Sequence, residues 1–327
     1  MDFGTYTRFF LGVPILILAE SVIGPRLRAA GIQFMEGGFV RSEDYPAFNQ
    51  AVLRVGRWRE SKWAELFILV AALAGAWGFT TETMYGEEGL ATWRASTHVT
   101  SNGQALSLTG LWYHLVALPI LQFFWYRWIW RLIVWARFLW DVSRLDLNLV
   151  ATHADQAGGL GFLGTAHVAL GMLAFGLSSV LSAEAAFLIV FQGTSIETFQ
   201  ISYIAILVIV ELVVLGPLLV FTPMLIRARL DGLRDYSRLV TRYNRAFHQK
   251  WVAGTAAADD TVLGSSDIQS LADLGTSFET IRAMKSIPFS QRVIIQLAII
   301  TSLPCLPLIL LVMPLSKILN LLTKAVF

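Results

Sequence analysis

Long apolar runs, separated by polar and charged stretches, are the dominant pattern of the chain. Each run is close to the roughly 17–25 residues that cross the hydrocarbon core of a bilayer, and none has the strict alternation of a β-strand. Since a lipid-exposed backbone must satisfy its own hydrogen bonds, each run predicts a helix. The predicted spans cover residues 8–24, 63–79, 110–132, 160–181, 198–226 and 293–315.

Composition agrees with this pattern. Hydrophobic residues account for 55% of the 327 positions and charged residues for 15%, whereas a soluble domain carries roughly 25% charged residues. We therefore predict an all-α polytopic membrane protein with about six transmembrane helices, in which residues 1–327 form a single membrane domain. The net charge of +2 is too small to indicate a nucleic-acid partner, so membrane lipids are the expected partners. Cys305 is the sole cysteine, which excludes a disulfide framework.

The charged residues are unevenly divided between the connections. Lysine and arginine accumulate in residues 25–62 and 227–292, whereas residues 80–109 hold a single arginine and residues 182–197 hold no lysine or arginine. Basic residues mark the cytoplasmic side of a membrane protein. We therefore expect residues 25–62, 133–159 and 227–292 to be cytoplasmic, and residues 80–109 and 182–197 to be extracytoplasmic loops.

Three stretches of the predicted cytoplasmic segments have the spacing of amphipathic helices. One lies between Arg41 and Lys62, and another begins at Ser266 and ends before Pro288. The third continues the fifth span, where apolar residues recur every three or four positions: Leu230, Leu233, Tyr236, Val240, Tyr243, Phe247 and Trp251. We expect this apolar stripe to pack against another element.

Glu211 is the most unusual residue within a predicted span, because it lies in the middle of the fifth one. Inserting an ionised acid there costs about 2.5–3.5 kcal/mol, so Glu211 should face the bundle interior, be paired or be protonated. Pro217 and Pro223 interrupt the backbone hydrogen bonds of the same run. Glu211 is thus a candidate for an ion or proton path, or a neutral glutamate bonded to a neighbouring helix. Glu20, near the end of the first span, is a second candidate, with Arg26 as a nearby partner.

The third span ends in FFWYRWIWRLIVWARFLW, which combines tryptophans with Arg127, Arg131 and Arg137. Arg127 and Arg131 share one helical face, and two guanidinium groups on one face can hold an anion or a lipid phosphate. The alternative interpretation is a membrane interface, where tryptophan belts and extended arginines are common.

The connection that follows, DVSRLDLNLVATHADQAGGLGFLG, places acidic residues, a histidine and glycines close together. Carboxylate and imidazole groups suit a divalent metal or proton transfer, although no zinc-type spacing is present. The open interpretations are a structural turn with helix-capping hydrogen bonds, a ligand or proton site, and a metal site. The weak metal candidates are Asp141, Asp146, His153 and Asp155. We expect no cofactor, because His114 and His167 should lie at different depths and make a poor haem pair.

Three stretches resemble a family of uncharacterised bacterial multi-pass inner-membrane proteins: RFFLGVPILILAE, ATHADQAGGLGFLG, and the segment from DIQSLADLGTSFETIRAM to PLSKIL. The chain departs from that family's pattern at Ala154 and Gln156, where members carry a proline and a basic residue. The resemblance implies a location in the bacterial inner membrane and assigns no activity.

These features support two main hypotheses for function. The first is a channel or transporter-like protein with a polar path near Glu211, extended by His153 and Asp155 at its cytoplasmic mouth. The second is a non-catalytic structural or assembly subunit that acts through its cytoplasmic amphipathic helices. Either protein could form a homo-oligomer or belong to a membrane complex. A membrane enzyme that uses the acidic loop is a third, less favoured hypothesis.

Overall fold

Five helical runs are long and apolar enough to cross a membrane in the computed structural model, which describes residues 3–86, 95–100, 103–106, 108–255 and 264–308. By length and composition the protein is therefore a helical membrane protein. The five runs are Gly4–Glu36, Leu108–Val142, Gly161–Gln192, Ile196–Val252 and Gln291–Leu308.

Twelve α-helices, joined by short 3₁₀ and π turns, make up nearly all of the described chain. The first eight are α1 (Phe3–Thr7), α2 (Val13–Glu36), α3 (Tyr45–Arg59), α4 (Lys62–Gly86), α5 (Leu108–Trp112), α6 (Leu118–Val142), α7 (Gly161–His167) and α8 (Gly171–Gln192). The last four are α9 (Gln200–Leu215), α10 (Thr222–Phe247), α11 (Ser266–Arg282) and α12 (Gln291–Ser302).

The structure adds detail to the connection predicted as a loop over residues 80–109. Helix α4 continues into it as far as Gly86. Beyond it, strands β1 (Ala95–Thr100) and β2 (Gly103–Leu106) form an antiparallel β-hairpin. The threonines and valine of β1 favour a strand.

Several helices extend beyond the predicted spans. Within the connection predicted as a loop over residues 182–197, α8 continues to Gln192 and ends at Gly193, whose φ of 67° is the left-handed cap of a helix. Likewise α2 continues past residue 24 to Glu36, with Pro25 inside it, and buries Ala30 and Phe34 in its last turns. The predicted spans end where charged residues interrupt an apolar run. A helix can continue past such residues when its later turns still pack against the core.

Two predicted spans need separate comment. The second, residues 63–79, lies within α4, which has 25 residues but is not among the five runs identified as candidate spans. The sixth, residues 293–315, coincides with Gln291–Leu308 up to its last residues, and 309–315 lie outside the described part of the chain. The count of six spans stays a prediction.

A cluster of phenylalanines forms the centre of the apolar core. The Phe34 ring lies 5.4–6.4 Å, centroid to centroid, from four other rings, those of Phe48, Phe138, Phe162 and Phe221. These rings come from α2, α3, α6, α7 and the 3₁₀ turn between α9 and α10. The core therefore joins distant parts of the chain at one end of the bundle. We call this end the loop end, because the long connection between α6 and α7 lies there.

Candidate functional site

The connection between α6 and α7 folds into a tight turn over residues 150–161, which we call the glycine loop. Successive turns are closed by hydrogen bonds from the His153 amide to the Val150 carbonyl (3.0 Å) and from the Gln156 amide to the His153 carbonyl (3.1 Å). Gln156, Gly158 and Gly159 all have positive φ, at 56°, 64° and 97°. Glycine adopts this conformation without the steric cost of a side chain. The two glycines thus explain how the chain reverses so sharply.

The carboxylate of Asp155 holds the glycine loop together. Its Oδ1 accepts hydrogen bonds from the backbone amides of Ala157 (2.8 Å) and Gly159 (3.1 Å), and its Oδ2 accepts one from Gly161 (2.8 Å). Gly161 is the first residue of α7, so the carboxylate also satisfies a helix amide that has no partner within the helix. The Nδ1 of His153 lies 2.8 Å from Oδ1.

These contacts affect the charge of Asp155. Burial by itself raises the pKa of the Asp155 carboxyl, but the backbone hydrogen bonds and the His153 side chain outweigh burial and hold that pKa below its ordinary value. The carboxylate is therefore ionised at neutral pH and already committed to the backbone around it. This geometry matches the interpretation of a structural turn with helix-capping hydrogen bonds.

The glycine loop is also a junction between separate parts of the fold. The Lys285 amide donates to the Gln156 carbonyl (2.7 Å), which ties the loop to the segment between α11 and α12. On another side, Phe39 lies so close to Gly159 that an added Cβ there would be 2.2 Å from the ring. A Cβ on Gly158 would contact Leu225 of α10 at 3.4 Å. The loop therefore fixes the relative positions of the helices that meet at the loop end.

The other acidic candidates of this region are held by arginines. Asp141 pairs with Arg54 of α3 and, at 3.0 Å, with Arg137 one turn away, while Asp146 pairs with Arg41. Across the described part of the chain, no three histidine, cysteine, aspartate or glutamate side chains come together in a group that could hold a metal ion. The four weak metal candidates are thus divided between separate ion pairs and the glycine loop.

The three arginines of α6 likewise have different surroundings. Arg131 forms an ion pair with Glu20 of α2 (2.6 Å) and lies over the Trp128 ring at 5.1 Å. Arg137 is the partner of Asp141. Arg127 makes no ion pair with a described residue, yet it acts electrostatically on Glu20. Glu20 therefore pairs with α6, across the helix interface, and not with Arg26 in its own helix.

Glu211 lies on the face of α9 that is turned toward the bundle. Tyr203, Leu207, Val210 and Val214 recur on this face at three- and four-residue spacing and are buried or half-buried, as is Glu211 itself. Glu211 makes no hydrogen bond or ion pair with a described residue. One turn further on, the α-helix changes to a 3₁₀ segment, Gly216–Phe221, which contains the first of the two predicted helix-breaking prolines.

The structure adds residues that the sequence did not mark as functional candidates. Arg41 and Arg54 were assigned only to the basic side, and Phe39 carried no signal at all. Their partners lie more than a hundred positions away for Arg41 and 87 away for Arg54, so no local spacing could have identified them.

No family model, no curated protein and no solved structure matches the chain.

Proposed function

We propose that the protein is a structural subunit of a membrane assembly, which associates with its own copies through α10 and α11. These two helices, which we call the helical hairpin, contain 26 and 17 residues, yet only Leu225 and Ile281 among them are buried. Helices gain most of their stability by packing an amphipathic face against a neighbour. So small a core supports the proposal that another surface covers the helical hairpin.

The helical hairpin is held in one shape at both ends. Near the bundle, an Nη of Arg229 donates to the Arg282 carbonyl (2.9 Å). At the far end, Asp267 accepts from Lys250 (2.9 Å) and from the Trp251 indole (3.0 Å). The hydrogen bonds from Lys250 and Trp251 hold the pKa of Asp267 below its ordinary value. The two helices therefore offer a preformed surface.

Apolar side chains remain on this surface. Leu230 is 48% exposed, Leu239 37% and Ile268 40%. Helix α10 packs against α11, and the members of its predicted apolar stripe from Leu233 to Trp251 are all half-buried. A layer of two helices is too thin to enclose its own apolar stripe, and stable architectures add a further layer.

Charge favours a second copy of the helical hairpin as that layer. Helix α10 carries six arginines against two aspartates. Helix α11 carries three acidic residues, Asp267, Asp273 and Glu279, against one arginine. When two copies meet about a two-fold axis, α10 of each copy can face α11 of the other, so the same complementary contact occurs twice. Such an arrangement would sit on the cytoplasmic side predicted from the distribution of basic residues.

Native mass spectrometry of the full chain in lipid nanodiscs tests this proposal. We expect two or more copies for the wild-type protein, fewer for R238E/R242E and fewer for D273K/E279K, because either change places like charges opposite each other. A variant with all four substitutions should recover self-association. R26Q/R28Q, outside the helical hairpin, is the matched control. A wild-type protein that stays monomeric over the whole concentration range would overturn the proposal, as would a stoichiometric complex with a different protein in place of self-association.

A second candidate function, an ion or proton path, rests on Glu211. Its carboxyl lies on the bundle-facing side of α9 without a described partner. The neighbouring α12 carries Thr301, which is fully buried and whose hydroxyl has no described hydrogen-bond partner. Unpaired polar groups at membrane depth often mark ion or proton pathways.

Proton flux in proteoliposomes tests the Glu211 path. The wild-type protein should conduct protons, and E211Q should reduce the flux at least ten-fold, because an amide cannot release a proton. E184Q, which alters a half-exposed glutamate paired with Arg8, should leave the flux unchanged. Equal flux through wild-type and E211Q proteins would remove this candidate.

A further inference from the structure

A groove of about 620 Å³ opens on the outer surface of the bundle, between the end of α3, the start of α4 and the middle of α6. Aromatic side chains line much of it: Trp58, Trp63, Phe67, Tyr126 and Trp130. Its size falls within the roughly 300–1,000 Å³ of ligand pockets. The lining is apolar apart from a few hydroxyl and indole groups, so its occupant should be largely apolar.

The groove has a preformed wall. The rings of Trp58 and Trp130 stack at 6.0 Å, and the Trp130 indole donates to the Trp58 carbonyl at 3.2 Å. On α4, the lining residues Trp63 and Phe67 are 81% and 74% exposed. Exposed aromatic side chains of this size mark a surface that lipid or another protein covers, and tryptophan is typical of the boundary between hydrocarbon and headgroups. This tryptophan-rich lining favours lipid as the surface that covers the groove.

Unmatched positive charge lies beside this groove. Arg131, Arg127 and Arg59 all act electrostatically on the single carboxylate of Glu20, and only Arg131 forms an ion pair with it. Arg59 directly follows Trp58, and Arg127 directly follows Tyr126, both of which line the groove. Neither arginine has an ion-pair partner among the described residues. Two residues that each follow a lining residue in sequence therefore carry guanidinium groups without an ion-pair partner in the described part of the chain.

We propose that the groove binds one anionic phospholipid, with an acyl chain along the aromatic wall and its phosphate between Arg59 and Arg127. An apolar groove by itself would accept the chain of any lipid. The two arginines provide the selectivity, because guanidinium groups bind phosphate oxygens with paired hydrogen bonds. A zwitterionic lipid places a compensating positive charge next to its phosphate and gains less from this site.

Native mass spectrometry with titrated lipid tests the site. Phosphatidylglycerol and phosphatidylcholine with identical acyl chains are the probes. The wild-type protein should retain phosphatidylglycerol preferentially, and R59Q/R127Q should lose at least ten-fold of that preference, since each basic group contributes about five-fold at an anionic lipid surface. R59K/R127K keeps the charge but not the paired hydrogen bonds, so it should retain part of the preference and lie between the wild type and R59Q/R127Q, which separates loss of charge from misfolding. The control R137Q, whose guanidinium pairs with Asp141, should behave like the wild type.

Two further experiments distinguish a bound lipid from a bound free anion. A71F, which fills the groove at a small lining residue, should weaken retention of both lipids. Inorganic phosphate at millimolar concentration should fail to displace bound phosphatidylglycerol. Equal retention of the two lipids by the wild type, unchanged retention in A71F, or displacement by phosphate alone would each overturn the proposal.

Discussion

Replacing Asp155 with alanine should destabilise the protein, because it removes the group that organises the glycine loop. The wild-type carboxylate accepts hydrogen bonds from three backbone amides, those of Ala157, Gly159 and Gly161, at 2.8–3.1 Å. Alanine offers no acceptor to any of them. The loop backbone cannot relax easily, because Gly158 and Gly159 are already held at positive φ against their neighbours.

The loss in the free energy of unfolding for Asp155→Ala follows from the number of backbone amides that it leaves without a hydrogen-bond acceptor. Each buried donor that loses its acceptor costs about 1–3 kcal/mol. The Asp155 side chain is 21% exposed, so water reaches part of the site and the lower end of that range applies. Three amides then give a loss of about 3 kcal/mol in the free energy of unfolding. Asp155→Asn keeps one acceptor oxygen and should lose about 1–2 kcal/mol, because its amide nitrogen cannot accept a hydrogen bond.

The loss should depend on pH in a defined direction. Since the folded protein holds the pKa of Asp155 below its ordinary value, the ionised carboxylate contributes stability at every pH above the unfolded-state pKa, which is about 3.9. That contribution disappears as the pH falls through the lower, folded-state pKa. The difference between wild type and Asp155→Ala should therefore be constant from about pH 5 to pH 7 and shrink below about pH 4.

Denaturant unfolding in detergent micelles, followed by far-UV circular dichroism from pH 3 to pH 7, measures both effects. Asp231→Ala is the matched control, because it removes an exposed carboxylate with one 3.3 Å ion pair within its own helix, and it should change stability by less than about 0.5 kcal/mol. The reasoning is refuted if Asp155→Ala is no less stable than this control at neutral pH. It is also refuted if the difference grows toward acid.

Three glycines give further predictions for the same unfolding assay. Gly159→Ala should cost about 3 kcal/mol or more, because its Cβ would lie 2.2 Å from Phe39 and its φ is positive. Gly193→Ala shares the positive φ but has no atom within 4 Å, so it should cost only about 1–2 kcal/mol; equal losses at the two sites would exclude the steric clash as the cause. Gly56→Ala, inside α3 with free space around it, should raise stability by about 0.5–1 kcal/mol, and a decrease would contradict the packing seen there.

Hydropathy predicted which segments are apolar enough to cross a membrane, but it did not predict the residues at which the helices end. The length of an apolar run indicates how much of a segment can lie in hydrocarbon, whereas a helix ends where its backbone is capped. Gly193 ends α8 by adopting positive φ, and α2 passes through Pro25 because Phe34 beyond it enters the phenylalanine core. Local composition contains no measure of such distant packing.

The sequence predicted which residues belong to the candidate sites, but it did not predict which of them form ion pairs with each other. Glu20 and Arg131 were both recognised as unusual, yet the sequence offered Arg26 as the nearer partner for Glu20. The structure joins Glu20 to Arg131 across 111 positions. Only the packing of α2 against α6 brings these side chains together. Helical spacing describes contacts within one element, so contacts between elements have to come from the fold.

The environment of Asp155 changes which hypothesis is the stronger one. A proton path needs a carboxyl that can exchange its proton and its partners, whereas this carboxylate is held in one place by backbone amides and kept ionised. The contacts of His153 and Asp155 therefore favour a structural role at the junction beside α10. A rigid junction at the base of the helical hairpin sets the direction in which that hairpin leaves the bundle. Weakening it through Asp155→Ala should consequently reduce self-association even though the substitution lies outside the proposed contact surface.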